Sequence, residues 1–424
     1  MKSRRDLFMR VFGSAVLMQA LLSGTSFIVG LILIRRSSDL QYGYYILTIN
    51  ALLLLTTLQG AFIQPQMVVR MTRLDSTGRR DMVGGLLREQ RALLLRLLIA
   101  AVIGVLLLCA AGRLEFEQAL LVVLGTLVAT AVLTREFFRM LLFAYRQPQS
   151  VLRADTLYVT LLLCAAWLAT YTPIAAITAV AGLGAAAWIS SRLLARSSST
   201  HEGWNPGGAP GILRQLAPLG AWSVGGAAIH WALSQGYSYL AAGTLSVKVV
   251  AAIAATRLLL MPVNLLSAGI GTVLLPLTSD WLHRLGLQTA LRRLLALAGA
   301  LIGGALIYFA VLWLNREWIF ATVLRKDFAQ RDAMLLLWCA VFLLMLIRDQ
   351  LVNLLAALER FRQLTLITGG SAALSLTASY LAMLHLGGAG AVLGILLGEA
   401  ANVAGIGVLV VLETRRALPE PAPA

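Results

Sequence analysis

Charge is scarce in this chain: of 424 residues only 13% are Asp, Glu, Lys or Arg, and only 19 of these are acidic. With 59% apolar residues and a mean hydropathy of +0.82, that scarcity excludes an ordinary soluble globular protein. There are three cysteines, Cys109, Cys164 and Cys339, each alone inside an apolar run. Neither a disulfide framework nor a cysteine metal cluster is indicated. The sequence has no nucleotide-phosphate loop, zinc signature or paired-carboxylate site, so it offers no ATP motor and no recognisable hydrolytic centre.

What the chain does have is apolar runs long enough to span a bilayer. About twelve can be marked, near residues 11–34, 42–69, 92–112, 119–143, 151–171, 174–195, 215–240, 247–278, 292–314, 333–357, 363–385 and 388–412. The reading is an all-α integral membrane protein with about twelve helices in two six-helix lobes around a central cavity. Pro65, Pro262 and Pro276 interrupt the amide ladder in the second and eighth runs, so either run could be broken. The formal charge of +16 would suggest nucleic acid in a soluble protein. Here the basic residues fall between spans, and counting them in alternate loops gives about 25 on one side against about 8 on the other. That asymmetry places both termini in the cytoplasm, in a multi-pass protein of the inner membrane, with no nucleic-acid partner. The apolar run behind the basic N-terminus is long enough to span and lacks a cleavage pattern, so it is read as the first membrane helix rather than a secretory signal.

Residues 1–200 form the first lobe in this reading, 201–210 a cytoplasmic linker rich in turn formers, 211–416 the second lobe and 417–424 a disordered tail. On the outer side, Asn315 to Asp332, with Trp318 and Phe320, reads as an interfacial helix.

One stretch occurs twice. Arg135-Glu136, four residues, Leu141-Leu142, one residue, Ala144 is matched by Arg348-Asp349, four residues, Leu354-Leu355, one residue, Ala357. Both copies run into a basic turn, about half a chain apart. This is the pattern of a duplicated transporter, although Arg-acid pairs also recur by chance in long membrane proteins.

Polar residues inside the spans keep helical spacing. Gln19, Ser23, Ser26 and Gly30 stripe the first run, and Asn50, Thr57 and Gln64 the second. Their counterparts are Ser223, His230, Ser234 and Tyr237 in the seventh run, and Arg257 and Asn264 in the eighth. Small polar residues also serve as ordinary packing between membrane helices, but four matched faces favour a water- or substrate-lined cavity. The substrate-contacting candidates are Gln19, Asn50, Gln64, His230, Ser234, Arg257 and Asn264. Arg257 is the sharpest, because an arginine in the middle of an apolar run costs about 2.5–3.5 kcal/mol on insertion scales. Its planar fork matches phosphate oxygens. The competing reading is a structural ion pair with Asp349 or Glu399. Arg135, Glu136, Arg348 and Asp349 are candidates for a gate or a helix tie. Glu399, with Asn402 one turn on, is a candidate for a coupling proton or sodium ion, or for a helix–helix hydrogen bond. No other cofactor and no metal is expected.

The segment Ile34-Arg35-Arg36-Ser-Ser-Asp-Leu-Gln-Tyr42-Gly43-Tyr44-Tyr45, the stretch ending Ala144-Tyr145-Arg146, and Arg257-Leu-Leu-Leu-Met-Pro262 leading to Leu274-Leu275-Pro276-Leu277 together resemble the MOP flippase superfamily, specifically its Wzx-type polysaccharide exporters. The resemblance implies a flippase, not an enzyme. It would move a polyprenyl-diphosphate-linked oligosaccharide between leaflets by alternating access, for lipopolysaccharide or exopolysaccharide synthesis. Its partners would be the lipid-linked oligosaccharide, membrane lipids, a polysaccharide polymerase and glycosyltransferases. The superfamily's lipid II flippases usually have two further helices, and its multidrug (MATE-type) exporters typically use buried acids near the centre of the first helix; both remain alternatives. A membrane-embedded glycan-processing enzyme is the weakest reading, because outer loops this short leave little room for an active site.

Overall fold

A computed structural model describes residues 2–71, 73–208 and 210–416, with every side chain in them except those of residues 2–17, Gln19, Gln66, Leu219, Ala268, Thr272 and Val273. The tail expected at 417–424 lies outside the described residues. All the regular elements are helices: α1 (Lys2–Arg36), α2 (Asp39–Met71), α3 (Ser76–Ala110), α4 (Phe116–Ala144), α5 (Pro148–Ala169), α6 (Ala175–His201), α7 (Ile212–Thr244), α8 (Val247–Leu258), α9 (Met261–Leu285), α10 (Leu287–Leu314), α11 (Arg316–Trp318), a π-helical turn (Ile319–Leu324), α12 (Arg331–Ala357) and α13 (Phe361–Arg416).

Among the described residues eight helices are long and apolar enough to cross a membrane, or nine if α8 and the first part of α9, bent by 55°, count as one span. The bend follows from Pro262, which has no amide hydrogen to return to the last turn of α8 and instead starts α9. The 56 residues of α13 would reach ~84 Å as one rod, well beyond a ~30 Å hydrocarbon core. The helix is instead a hairpin, broken at Gly387 where φ is 56°. Its returning arm presents Gly390, Gly394 and Gly398 to Ala382, Ser379 and Ser375 of the outgoing arm, so closely that a Cβ at any of the three would collide with its opposite residue. Small residues on one face of both arms, four apart on the returning arm and three or four apart on the outgoing one, are what let two membrane helices approach at backbone distance. Counting α13 as two arms, and adding α1 and α7 by length, reaches the twelve spans expected.

The chain divides into two compact units, Met1–Ala228 and Ile229–Ala424, with the division inside α7. In the first unit α4 packs on α2, α3 and α6; in the second α12 packs on α8, α9, α10 and α13. These central helices carry the repeated stretch. Leu141 and Leu142 are wholly buried in one core, Leu354 and Leu355 in the other. Both helices end alike: Arg146 and Glu359 take left-handed φ values of 57° and 59°. Each then closes a Schellman motif, Arg146 N–H to Phe143 and Gln147 N–H to Leu142, matched by Glu359 N–H to Ala356 and Arg360 N–H to Leu355.

One expectation is corrected. The segment after Asn315 is no interfacial helix: it is one helical turn, a π-turn whose Phe320 is buried, and an irregular return to Gln330. Residues 201–208, within the stretch read as a linker, pack on the first unit. Trp204 packs on Phe138, with ring centroids 5.3 Å apart. The Asn205 amide donates to the Arg80 carbonyl (3.0 Å) and its side chain to Asp81 (2.7 Å). Glu89 of α3 accepts from the amides of Gly211, Ile212 (3.1 Å) and Leu213 (2.8 Å), neutralising the start of α7. Glu202 receives Arg79 through Nη2 at 2.6 Å and Nε at 2.9 Å. That guanidinium holds the Glu202 carboxyl below the usual carboxylate range.

Candidate functional site

In the first unit the Arg135-Glu136 pair is the visible part of a larger network. Arg135, 4% exposed at its side chain, donates Nη1 to Glu136 at 2.5 Å, Nη2 to Asp155 and Nε to Ser190 at 3.3 Å. Its guanidinium lies 3.9 Å from the centroid of the Tyr158 ring. Arg139, one turn on, donates to the other Asp155 oxygen at 3.0 Å and to Glu136 at 3.4 Å. Two cations meet two carboxylates, tying α4 to α5 and α6. Sequence reasoning missed Arg139, Asp155, Tyr158 and Ser190. Asp155 carried a signal, because a carboxylate inside a spanning run demands a partner.

The corresponding helix of the second unit has different arithmetic. Arg348 donates Nη2 to Asp349 at 3.0 Å and Nη1 to Glu399 at 2.5 Å. The second Asp349 oxygen accepts from Ser267 at 3.2 Å. No residue answers to Arg139, so one arginine faces two carboxylates. Glu399 and Asn402 are 2% and 1% exposed. Their Oε2 and Oδ1 atoms have no hydrogen-bond donor among the described residues. Two buried acceptors without a donor, beside a surplus negative charge, have the composition of a site that takes up a cation or a proton. No group of three His, Cys, Asp or Glu stands together among the described residues to hold a transition metal.

Arg257 closes α8 immediately before the break. Its Nη1 donates to Gln235 Oε1 at 2.9 Å, Tyr237 Oη at 3.2 Å and the Ser234 carbonyl at 3.3 Å. Its guanidinium lies 5.3 Å from the Trp338 ring centroid. No ion pair with Asp349 or Glu399 is formed among the described residues; both acids bond to Arg348 instead. Neutral acceptors and a π-face hold the cation in place without cancelling its charge. Nε and Nη2 have no protein acceptor among the described residues and are not sealed from the surface, since neither is a buried unsatisfied atom.

The remaining expected residues are dispersed. Asn264 lies beyond the 55° bend, so it does not share the helical face of Arg257 that a spacing of seven implied for one straight helix; it is exposed on α9. Ser234 reaches Arg257 through its carbonyl, while its hydroxyl turns back to Trp231. His230 is exposed on α7, Gln64 is exposed on α2 and Asn50 is buried in α2. The Gln19 side chain lies outside the described residues.

No protein-family model matches the chain, and no curated protein matches it by sequence. Solved structures do. An inward-facing multidrug-resistance MATE transporter of the MOP superfamily superposes with a TM-score of 0.75 at 13% identity, covering 96% of this chain and 99% of that one. The lipid II flippase MurJ in an inward closed conformation gives 0.70 at 12% identity, over 97% of this chain and 88% of that one. A MOP-superfamily transporter from Pyrococcus furiosus, described as having a binding pocket of reversed polarity, gives 0.65 at 12%, over 96% and 95%. The fold is that of the MOP-superfamily transporters.

Proposed function

We propose that this protein is a flippase that moves a lipid-linked oligosaccharide, carried on a polyprenyl diphosphate, across the cytoplasmic membrane for surface polysaccharide synthesis. Arg257 carries the reading. It is a guanidinium at a helix break within a spanning segment, with no ion pair among the described residues, fixed by three neutral acceptors, with two nitrogens left to take anionic oxygens side by side. A fixed cation of this kind suits a diphosphate and repels the cationic drugs that would define a multidrug exporter. The superposition on a lipid II flippase supports a lipid-linked substrate in this fold. We assign energy coupling to Glu399, because a proton on Oε2 would convert one of two unsatisfied acceptors into a donor and relieve the surplus charge beside Arg348.

The test is replacement of Arg257 in the native host. Arg257→Ala is expected to abolish surface polysaccharide and accumulate lipid-linked units on the cytoplasmic leaflet, with normal protein in the membrane. Arg257→Lys should be only partly active, since an ammonium cannot reproduce the fork. Normal export by a correctly inserted Arg257→Ala protein would overturn the assignment.

A further inference from the structure

Where the ends of α2, α4 and α6 meet the start of α3, a cavity of about 730 Å³ opens among Arg79, Arg80, Arg146, His201, Glu202 and a wall of apolar residues that includes Val68, Met140 and Phe143. Its basic groups are not equivalent. Arg79 is consumed by Glu202 and the Leu74 carbonyl. Arg80 and Arg146 are exposed and form no ion pair among the described residues, while His201 only packs edge-on against Tyr145 at 4.9 Å. The cavity therefore presents two uncompensated guanidinium groups beside an apolar wall.

The matching place in the second unit, where α9, α12 and α13 end and α10 begins, makes the contrast. A cavity of about 590 Å³ there is lined by Ser279, His283, Glu413 and Arg416, among others. Glu413 takes Arg416 at 3.2 Å and Arg360 at 2.8 Å, so each of these guanidinium groups has a carboxylate partner, although the two share one. A general rule of basic loops on the cytoplasmic side would charge both cavities alike. Among the described residues, only the first holds guanidinium groups with no carboxylate partner next to apolar surface.

We propose that this cavity binds the phosphoryl headgroup of an anionic membrane lipid, with Arg80 and Arg146 on the phosphate and an acyl chain along Val68 and Phe143. The same cation chemistry would accept free phosphate, and the apolar wall is what selects the lipid. Each basic residue near such a headgroup contributes enough that losing two weakens binding roughly 30-fold.

Native mass spectrometry on the full chain in neutral detergent tests this, titrating phosphatidylglycerol, phosphatidylcholine and inorganic phosphate. The expected result is one phosphatidylglycerol retained in preference to phosphatidylcholine, undisplaced by millimolar phosphate. Arg80→Gln with Arg146→Asn should weaken it roughly 30-fold; asparagine tolerates the left-handed backbone at position 146. Arg80→Lys with Arg146→Lys should retain most binding, and Arg416→Gln should change nothing. Equal retention of both lipids by the parent, or unchanged phosphatidylglycerol binding in the neutralised variant, overturns the proposal. Displacement by phosphate alone overturns the lipid and leaves a free-anion site. The parent's lipid preference and the lysine variant decide the matter even if the neutralised variant fails to fold.

Discussion

Replacing Asp155 with alanine should be among the most damaging single changes in the first unit, and a second mutation should repair much of the harm. Asp155 is fully buried and accepts one arginine on each oxygen, Arg135 on one and Arg139 on the other at 3.0 Å. In Asp155→Ala two guanidinium groups share Glu136 alone, one positive charge in excess inside a spanning bundle. Removing one partner from a buried ion-paired set costs about 3–5 kcal/mol, because the cation left behind stays desolvated. Arg139→Leu in the same chain restores one cation to one carboxylate, since Arg135 keeps Glu136 at 2.5 Å. We expect the double variant to recover about 2–3 kcal/mol of the loss. Unfolding of the purified protein in mixed micelles with increasing SDS, followed by protease resistance, measures the four corners of the cycle. If Asp155→Ala and Arg139→Leu/Asp155→Ala unfold together, charge balance does not govern this network and the reasoning fails.

Glu399→Gln should behave differently from Asp155→Ala, because Arg348 still has Asp349 at 3.0 Å; stability should fall by about 1 kcal/mol or less while ion-driven transport is lost, as flux under an imposed proton or sodium gradient would report. Glu89→Ala should destabilise the protein by about 0.5–2 kcal/mol and speed amide exchange at Ile212 and Leu213, whose N–H groups it leaves without acceptors. The Arg79–Glu202 tie should survive mild acid. The Glu202 carboxyl is depressed below its ordinary value of 4.5, so its contribution is complete above that value and is lost only as pH falls through the lower folded value. Amide-exchange protection at Glu202 and Gly203, whose N–H groups bond to the Ser198 carbonyl, corrected for intrinsic exchange at each pH, should therefore hold steady from neutral pH down to about the ordinary carboxylate range and decline below it. A decline beginning near neutrality would remove Glu202 from the tie.

Much of the architecture was legible in the sequence because a bilayer permits few solutions. A run of about 20 apolar residues must become a helix to satisfy its backbone, so composition and run length determined an all-helical, multi-span chain. The repeated Arg-acid and Leu-Leu stretch was legible for a related reason: its leucines are the buried core of two central helices that end in the same left-handed turn. Partners were not legible, because a helix period says which residues share a face and nothing about what the face meets. Asp155, Arg139 and Ser190 became one network with Arg135 only when α5 and α6 packed on α4, and in the other unit Glu399 arrived from the returning arm of α13. Local geometry overrode spacing at Pro262, which separated Arg257 from Asn264. Spacing could not say whether Arg257 or Arg348 pairs with the acids; in the fold Arg348 bonds to both Asp349 and Glu399, while the direct partners of Arg257 are neutral. The sequence determined that the chain must hold buried charge, since ionisable residues stood inside apolar runs. Only the tertiary structure decided which charges cancel, because cancellation needs contact within a few ångströms between residues that lie up to 123 positions apart.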